Sequence, residues 1–161
     1  MEKINNITNK YRLLYWIIFY QLISICLGII TKEGVNNWYN GLQKSLLTPK
    51  GYVFPIIWSC LYCILAIIGW YLWNHKYDKY ARKMFALYII QMILNWSWTP
   101  VFFKLHCPLI SLIILLAMII ITLYLCLESW KTYRFIFYIL IIYFAWICFA
   151  AYLNLIILLL N

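Results

Sequence analysis

A chain of 161 residues that is 67% hydrophobic and 11% charged lies outside the range of soluble domains, which average about 45–50% apolar and about 25% charged. Its formal charge of +9 would point to nucleic acid in a soluble protein. Here the 13 Lys and Arg are dispersed between apolar runs and no basic recognition module is present, so no nucleic-acid partner is expected. What remains is an integral membrane protein with short loops, its cations serving topology and lipid headgroups.

The first apolar run, near 13–31, is about 19 residues long, which suits a spanning helix. Signal-peptide cores are shorter, and no small-x-small cleavage pattern follows. Lys32 to Gly51 reads as the one long loop. The second run, near 52–74, holds Pro55 in its first turn, where a missing N–H is harmless, and carries a stripe of Pro55, Trp58, Tyr62 and Ala66.

After the charged connection NHKYDKYARK comes the least lipid-like run, near 84–103, containing QMILNWSWTPVFFK. Gln91, Asn95, Trp98 and Phe102 recur there at i, i+4, i+7 and i+11, which is one helical face. Pro100 and Pro108 bracket KLHC, predicting a tight connection to the fourth run near 107–127. ESWKTYR reads as the last loop. The fifth run, near 135–160, repeats the earlier stripe with Tyr143, Trp146, Ala150 and Asn154, and Leu153 alongside. Each run is long enough to cross about 30 Å of hydrocarbon, and strand-length alternation is absent. The prediction is a single all-α domain over 1–161, a five transmembrane helix bundle.

Nine Lys and Arg fall at the N-terminus and in the second and fourth connections, against four on the opposite side (Lys32, Lys44, Lys50 and Lys104). The bias puts the N-terminus inside and the long loop on the far face. Every proposed span is free of Asp, Glu, Lys, Arg and His, which argues against ion-coupled pumps, proton relays and voltage sensors.

Acid–base and nucleophilic catalysis are equally unsupported. His75 and His106 fall at opposite faces, and the four acids (Glu2, Glu33, Asp78 and Glu128) lie in loops or at span ends. Neither a phosphate loop nor a nucleophile elbow occurs. Of the six cysteines, Cys60 and Cys63 form a CxxC with no second pair and no nearby His, so packing explains them better than metal. No catalytic residue, metal or cofactor is predicted.

Aromatic and amide residues are what the sequence does concentrate. Trp16, Trp38, Trp70, Trp73 and Trp130 fit interfacial belts. Asn95 and Asn154 either hydrogen-bond neighbouring helices or orient a ligand. Trp58, Trp98 and Trp146 share faces with polar or small residues, which suits an aromatic cavity between helices.

The segments WYNGLQKSLLTPKGYVFPIIWSCLY (38–62), QMILNWSWTPVFF (91–103) and YFAWICFAAYLN (143–154) resemble the TspO/MBR translocator family in order, spacing and layout. The shared signatures are WxxLY, QxxLNxxWxPxFF and YxxWxxFxxxLN. The resemblance implies a five-helix bundle, often homodimeric, with a pocket opening toward the first-loop face. It implies tetrapyrroles such as protoporphyrin and haem, benzodiazepine-type molecules, and in some members cholesterol, as ligands. By position it assigns Trp58 and Trp146 to the pocket floor, Asn95 and Trp98 to the third helix, Tyr62, Ala150 and Leu153 to the walls, and Gly28 to the first helix. A porphyrin's acidic edge would be within reach of Lys44 or Lys50.

Three functional readings follow: a porphyrin-binding translocator, scavenger or sensor; a photo-oxidative porphyrin-degrading enzyme using Trp58 and Trp146; or a structural membrane partner subunit. The chain departs from the family at KSLLTPK, where KPxWxPP is usual, so one aromatic contact over the pocket is missing. No Tyr-then-Arg/Lys element follows LNLIILLLN, leaving sterol binding without sequence support. The abundance of Ile, Asn, Lys and Tyr points to AT-rich codons and a bacterial inner membrane rather than a mitochondrial outer one.

Overall fold

The computed structural model describes residues 2–161, with side chains from Asn9 onward. Five long helices follow one another: α1 (Glu2–Asn37), α2 (Val53–Asn74), α3 (Lys79–Phe103), α4 (Pro108–Thr132) and α5 (Arg134–Leu160), with a single 3₁₀ turn at Tyr39–Gly41. No strand occurs among the described residues. The all-helical expectation is met. Four of the helices are long and apolar enough to cross a membrane. The 25-residue α3 is long enough, but Gln91, Asn95 and the residues around Pro100 lower its hydropathy.

That helix is turned with its polar side inward. Gln91, Asn95 and Thr99 are buried, while Ile89, Ile90 and Ile93 face outward. A bilayer rewards this arrangement, because a side-chain amide in hydrocarbon needs a partner and a neighbouring helix supplies one.

Three connections differ from the sequence expectation. In NHKYDKYARK the last five residues, 79–83, already belong to α3. The helix α1 runs on to Asn37, so the first loop begins at Trp38 rather than Lys32. Lys32, Glu33 and Asn37 are polar without being helix breakers, and Gly34 is kept in register by its contact with α3. At the other face, ESWKTYR is helical except for Tyr133. The Tyr133 N–H donates to the Ser129 carbonyl at 2.7 Å, and its own carbonyl accepts from Ile136 at 2.9 Å. One residue therefore ends α4 and starts α5. By contrast, KLHC is the tight connection expected, with His106 at φ 53° in the left-handed region that His enters more readily than most residues.

The helix ends sort into two faces. At one, Asn74 donates to Asn9 at 3.0 Å, and the Tyr133 hydroxyl donates to Asp78 at 2.6 Å. At the other, Trp38 stacks on His106 with centroids 4.5 Å apart, and Asn161 pairs with Gln43. Against each other, α4 and α5 make the most extensive contact; α2 and α5 barely touch.

Asp78 also caps α3, accepting from the N–H groups of Tyr80 and Ala81. The Tyr133 hydroxyl, then these backbone donors, hold its carboxyl below the usual range. Burial, then the Asp78 carboxylate, push the Tyr133 hydroxyl up to about 12. A carboxyl with a depressed folded pKa contributes stability that is present above its unfolded value, about 3.9, and is lost as pH falls through the folded value. Asp78→Asn retains a competent cap but loses the charged acceptor. It should lower the thermal midpoint at pH 7, and melts repeated toward pH 3 should bring the two proteins together. A constant difference across that range would assign the effect to capping alone.

Candidate functional site

At the first-loop face a cavity of about 710 Å³ opens among α1, α2, α3, α5 and the loop. That volume is within the range of small-molecule sites. The helix α4 contributes nothing to its wall.

The aromatic wall is built by i, i+4 spacing on α2 and α3. Trp58 stacks near Trp98 with centroids 6.2 Å apart and planes 30° apart. Trp98 in turn stacks on Phe102 at 5.6 Å and 16°, and Trp58 lies 5.9 Å from Tyr62. These rings present a flat apolar surface, the shape a planar aromatic guest stacks on. Across from them, Ala150 and Leu153 of α5 leave room by being small or slim, and Gly28 of α1 has no atom within 4 Å of where a Cβ would stand.

Two polar atoms on this wall lack partners. The Trp98 indole N–H and the Asn154 side-chain oxygen are buried and unpaired, although Asn154 donates through its nitrogen to Ser111 at 2.9 Å. An unpaired buried polar atom costs about 1–3 kcal/mol, so a guest able to pair with either would be favoured. At the rim stand two cations, Lys32 and Lys44. Lys44 lies over the Tyr39 ring, 4.8 Å from its centroid, and donates to the Asn40 carbonyl at 3.3 Å. Among the described residues, no acidic side chain lines the cavity.

The loop over the cavity is tied down at two points. Asn161 imitates a backbone strand: its oxygen accepts from the Gln43 N–H at 3.0 Å and its nitrogen donates to the Gln43 carbonyl at 3.1 Å. Nearby, the Ser45 and Tyr152 hydroxyls are 2.8 Å apart. This contact joins the loop to α5.

Of the eight residues singled out from sequence, Gly28, Trp58, Tyr62, Trp98, Ala150 and Leu153 line the cavity together. Asn95 and Trp146 do not. Asn95 is buried behind the wall, accepting from the Tyr62 hydroxyl at 2.8 Å and donating to the Tyr143 hydroxyl at 3.0 Å. Gln91 donates to the same Tyr143 oxygen at 2.9 Å. Trp146 packs edge-on against the wall residue Phe54, at 6.2 Å, and against Phe149 at 5.6 Å. Sequence reasoning overlooked most of α1's share, which includes Ser24, Leu27, Thr31, Lys32 and Val35. Lys44 reaches the rim as expected, whereas Lys50 does not line it.

A profile of the TspO/MBR family matches residues 16–160. The tryptophan-rich protein TspO of Archaeoglobus fulgidus is 31% identical over 137 residues, covering 83% of this chain and 86% of that protein. Protein CrtK of Rhodobacter capsulatus is 31% identical over 80 residues, 49% of each chain. The human translocator protein is 34% identical over 73 residues, 44% of this chain and 43% of its own.

Proposed function

The chain belongs to the TspO/MBR family and is an integral membrane protein, and from that premise we propose that it is a membrane receptor for flat hydrophobic small molecules. Tetrapyrroles of the protoporphyrin and haem type are the first ligand class, benzodiazepine-type molecules the second, and the role is that of a translocator, scavenger or sensor. The observation that carries this reading is a cavity with stacked indoles on one wall and two cations at its rim. A porphyrin has the matching parts, an apolar plane and carboxylates along one edge. The plane stacks on Trp58 and Trp98, and the acid edge turns toward Lys32 and Lys44.

In this reading residues 1–161 form one membrane domain of five spans, α3 included, supported by that helix's outward row of Ile. The N-terminus is cytoplasmic, the cavity opens on the other side of a bacterial inner membrane, and the family resemblance carries a homodimer. Gly28, Tyr62, Ala150 and Leu153 shape the wall, while Asn95 and Trp146 hold it in place. The photo-oxidative alternative rests on Trp58 and Trp146, of which Trp58 lines the cavity.

Titrating the purified protein with protoporphyrin and following tryptophan quenching tests the proposal. Saturable binding is expected, weakened about 5-fold by Trp58→Phe or Trp98→Phe, in line with the 0.5–1.5 kcal/mol carried by an aromatic pair, and less by Trp146→Phe. Unchanged affinity in the Trp58→Phe, Trp98→Phe double variant would remove the cavity as the site.

A further inference from the structure

At the opposite face, a second cleft of about 490 Å³ opens between Arg12, Tyr15 and Trp16 of α1 and the residues at and just past the end of α2. Its wall holds two cations, Arg12 and Lys76, with Tyr15, Trp73, Asn74 and Tyr77, and no acidic side chain among the described residues. We propose that this cleft binds the phosphate headgroup of an anionic glycerophospholipid.

Lys76 is positioned before any ligand arrives. The Lys76 ammonium sits 3.9 Å from the Trp73 ring centroid and 5.7 Å from that of Tyr77, which holds a flexible stem over a π surface. Arg12 adds a planar fork suited to two phosphate oxygens. The Asn74–Asn9 hydrogen bond, 3.0 Å long, ties the two helices together beside the cleft and fixes its width. Both helices reach here with the chain's cation-rich ends, where anionic headgroups gather.

A lipid fits better than free phosphate because the surface continues downward as hydrocarbon. Below Tyr15, the outward residues Ile18, Phe19 and Leu22 follow at i+3, i+4 and i+7, all about half exposed. This ridge runs from the cleft along α1 toward the middle of the bundle. A headgroup seated on Arg12 and Lys76 thus has an acyl chain laid along the same helix, which inorganic phosphate lacks.

Native mass spectrometry of the full chain, with phosphatidylglycerol or phosphatidylcholine added to the detergent, reads the site directly. One phosphatidylglycerol should remain bound preferentially. Each cation near an anionic surface is worth about 5-fold, so Arg12→Gln with Lys76→Gln should lower its affinity about 30-fold. Lys131→Gln with Arg134→Gln, on the same face but outside the cleft, should leave it unchanged. Equal losses in the two double variants would mean diffuse attraction and overturn the site. Competition by millimolar inorganic phosphate would overturn the lipid assignment. Lys76→Gln alone, at a surface turn, gives the same answer at about 5-fold if the double variant fails to fold.

Discussion

Tyr143→Phe is expected to destabilise the protein by about 2 kcal/mol, measured by denaturant unfolding in detergent. Tyr143 is fully buried, and its oxygen accepts from both Gln91 and Asn95. Removing one atom strands two amide donors at once inside the bundle. Hydrogen bonds between membrane helices average about 0.6 kcal/mol and reach about 1.7, so two lost together from a dry interior belong near the top of that range. Tyr138→Phe, on the outward face of the same helix, is the control and should be silent. Because Asn95 also receives the Tyr62 hydroxyl, the loss extends to a cavity wall residue, and porphyrin affinity should fall alongside stability. A stable Tyr143→Phe variant would mean that the two amides find other partners and that α5 keeps its place beside α3 without these bonds.

A comparable effect is expected at Gly34. A Cβ there would stand 2.5 Å from the Phe103 carbonyl oxygen and 2.6 Å from the Phe103 Cβ, so the end of α1 would have to move away from the end of α3. Overpacking of this kind costs about 1–3 kcal/mol. Gly34→Val should come out near the top of that range, and Gly34→Ala lower, since alanine regains about 1 kcal/mol of helix propensity. Phe103 and Val35 line the cavity, so the same variant should also weaken protoporphyrin at least 10-fold. Gly28→Val separates the two effects. Nothing stands near its Cβ, so its thermal midpoint should hold while a guest in the cavity meets the added methyl groups. If both valines melt alike, the close crossing at Gly34 is not what joins the two helices.

The two glycines also mark how far the sequence could be read. Spacing on α2, α3 and α5 identified the faces that turn inward, since a polar or aromatic stripe in an otherwise apolar helix has one economical direction to point. It could not rank depth along a face. Trp58 and Trp146 look alike in a helical pattern, yet one lines the cavity and the other packs edge-on against Phe54. Asn95 belongs to the same stripe as Trp98 but spends its hydrogen bonds on Tyr62 and Tyr143. The α1 contribution was hidden because Leu27, Gly28, Thr31 and Val35 differ little in character from residues that face lipid. Charged residues also misplaced several helix ends: they mark where a chain leaves hydrocarbon, and helices continue past that point until something breaks them.

The sparse contact between α2 and α5 has a thermodynamic side. Trp58 and Tyr62 face Ala150 and Leu153 across a space that no side chain fills, so whatever occupies it becomes the keystone of the arch. A guest that touches both helices adds cohesion absent from the empty protein, and mass action turns each decade of concentration above its Kd into about 1.4 kcal/mol of added resistance to unfolding. Occupancy could then be counted by heating the protein, with no spectroscopic signal from the ligand at all.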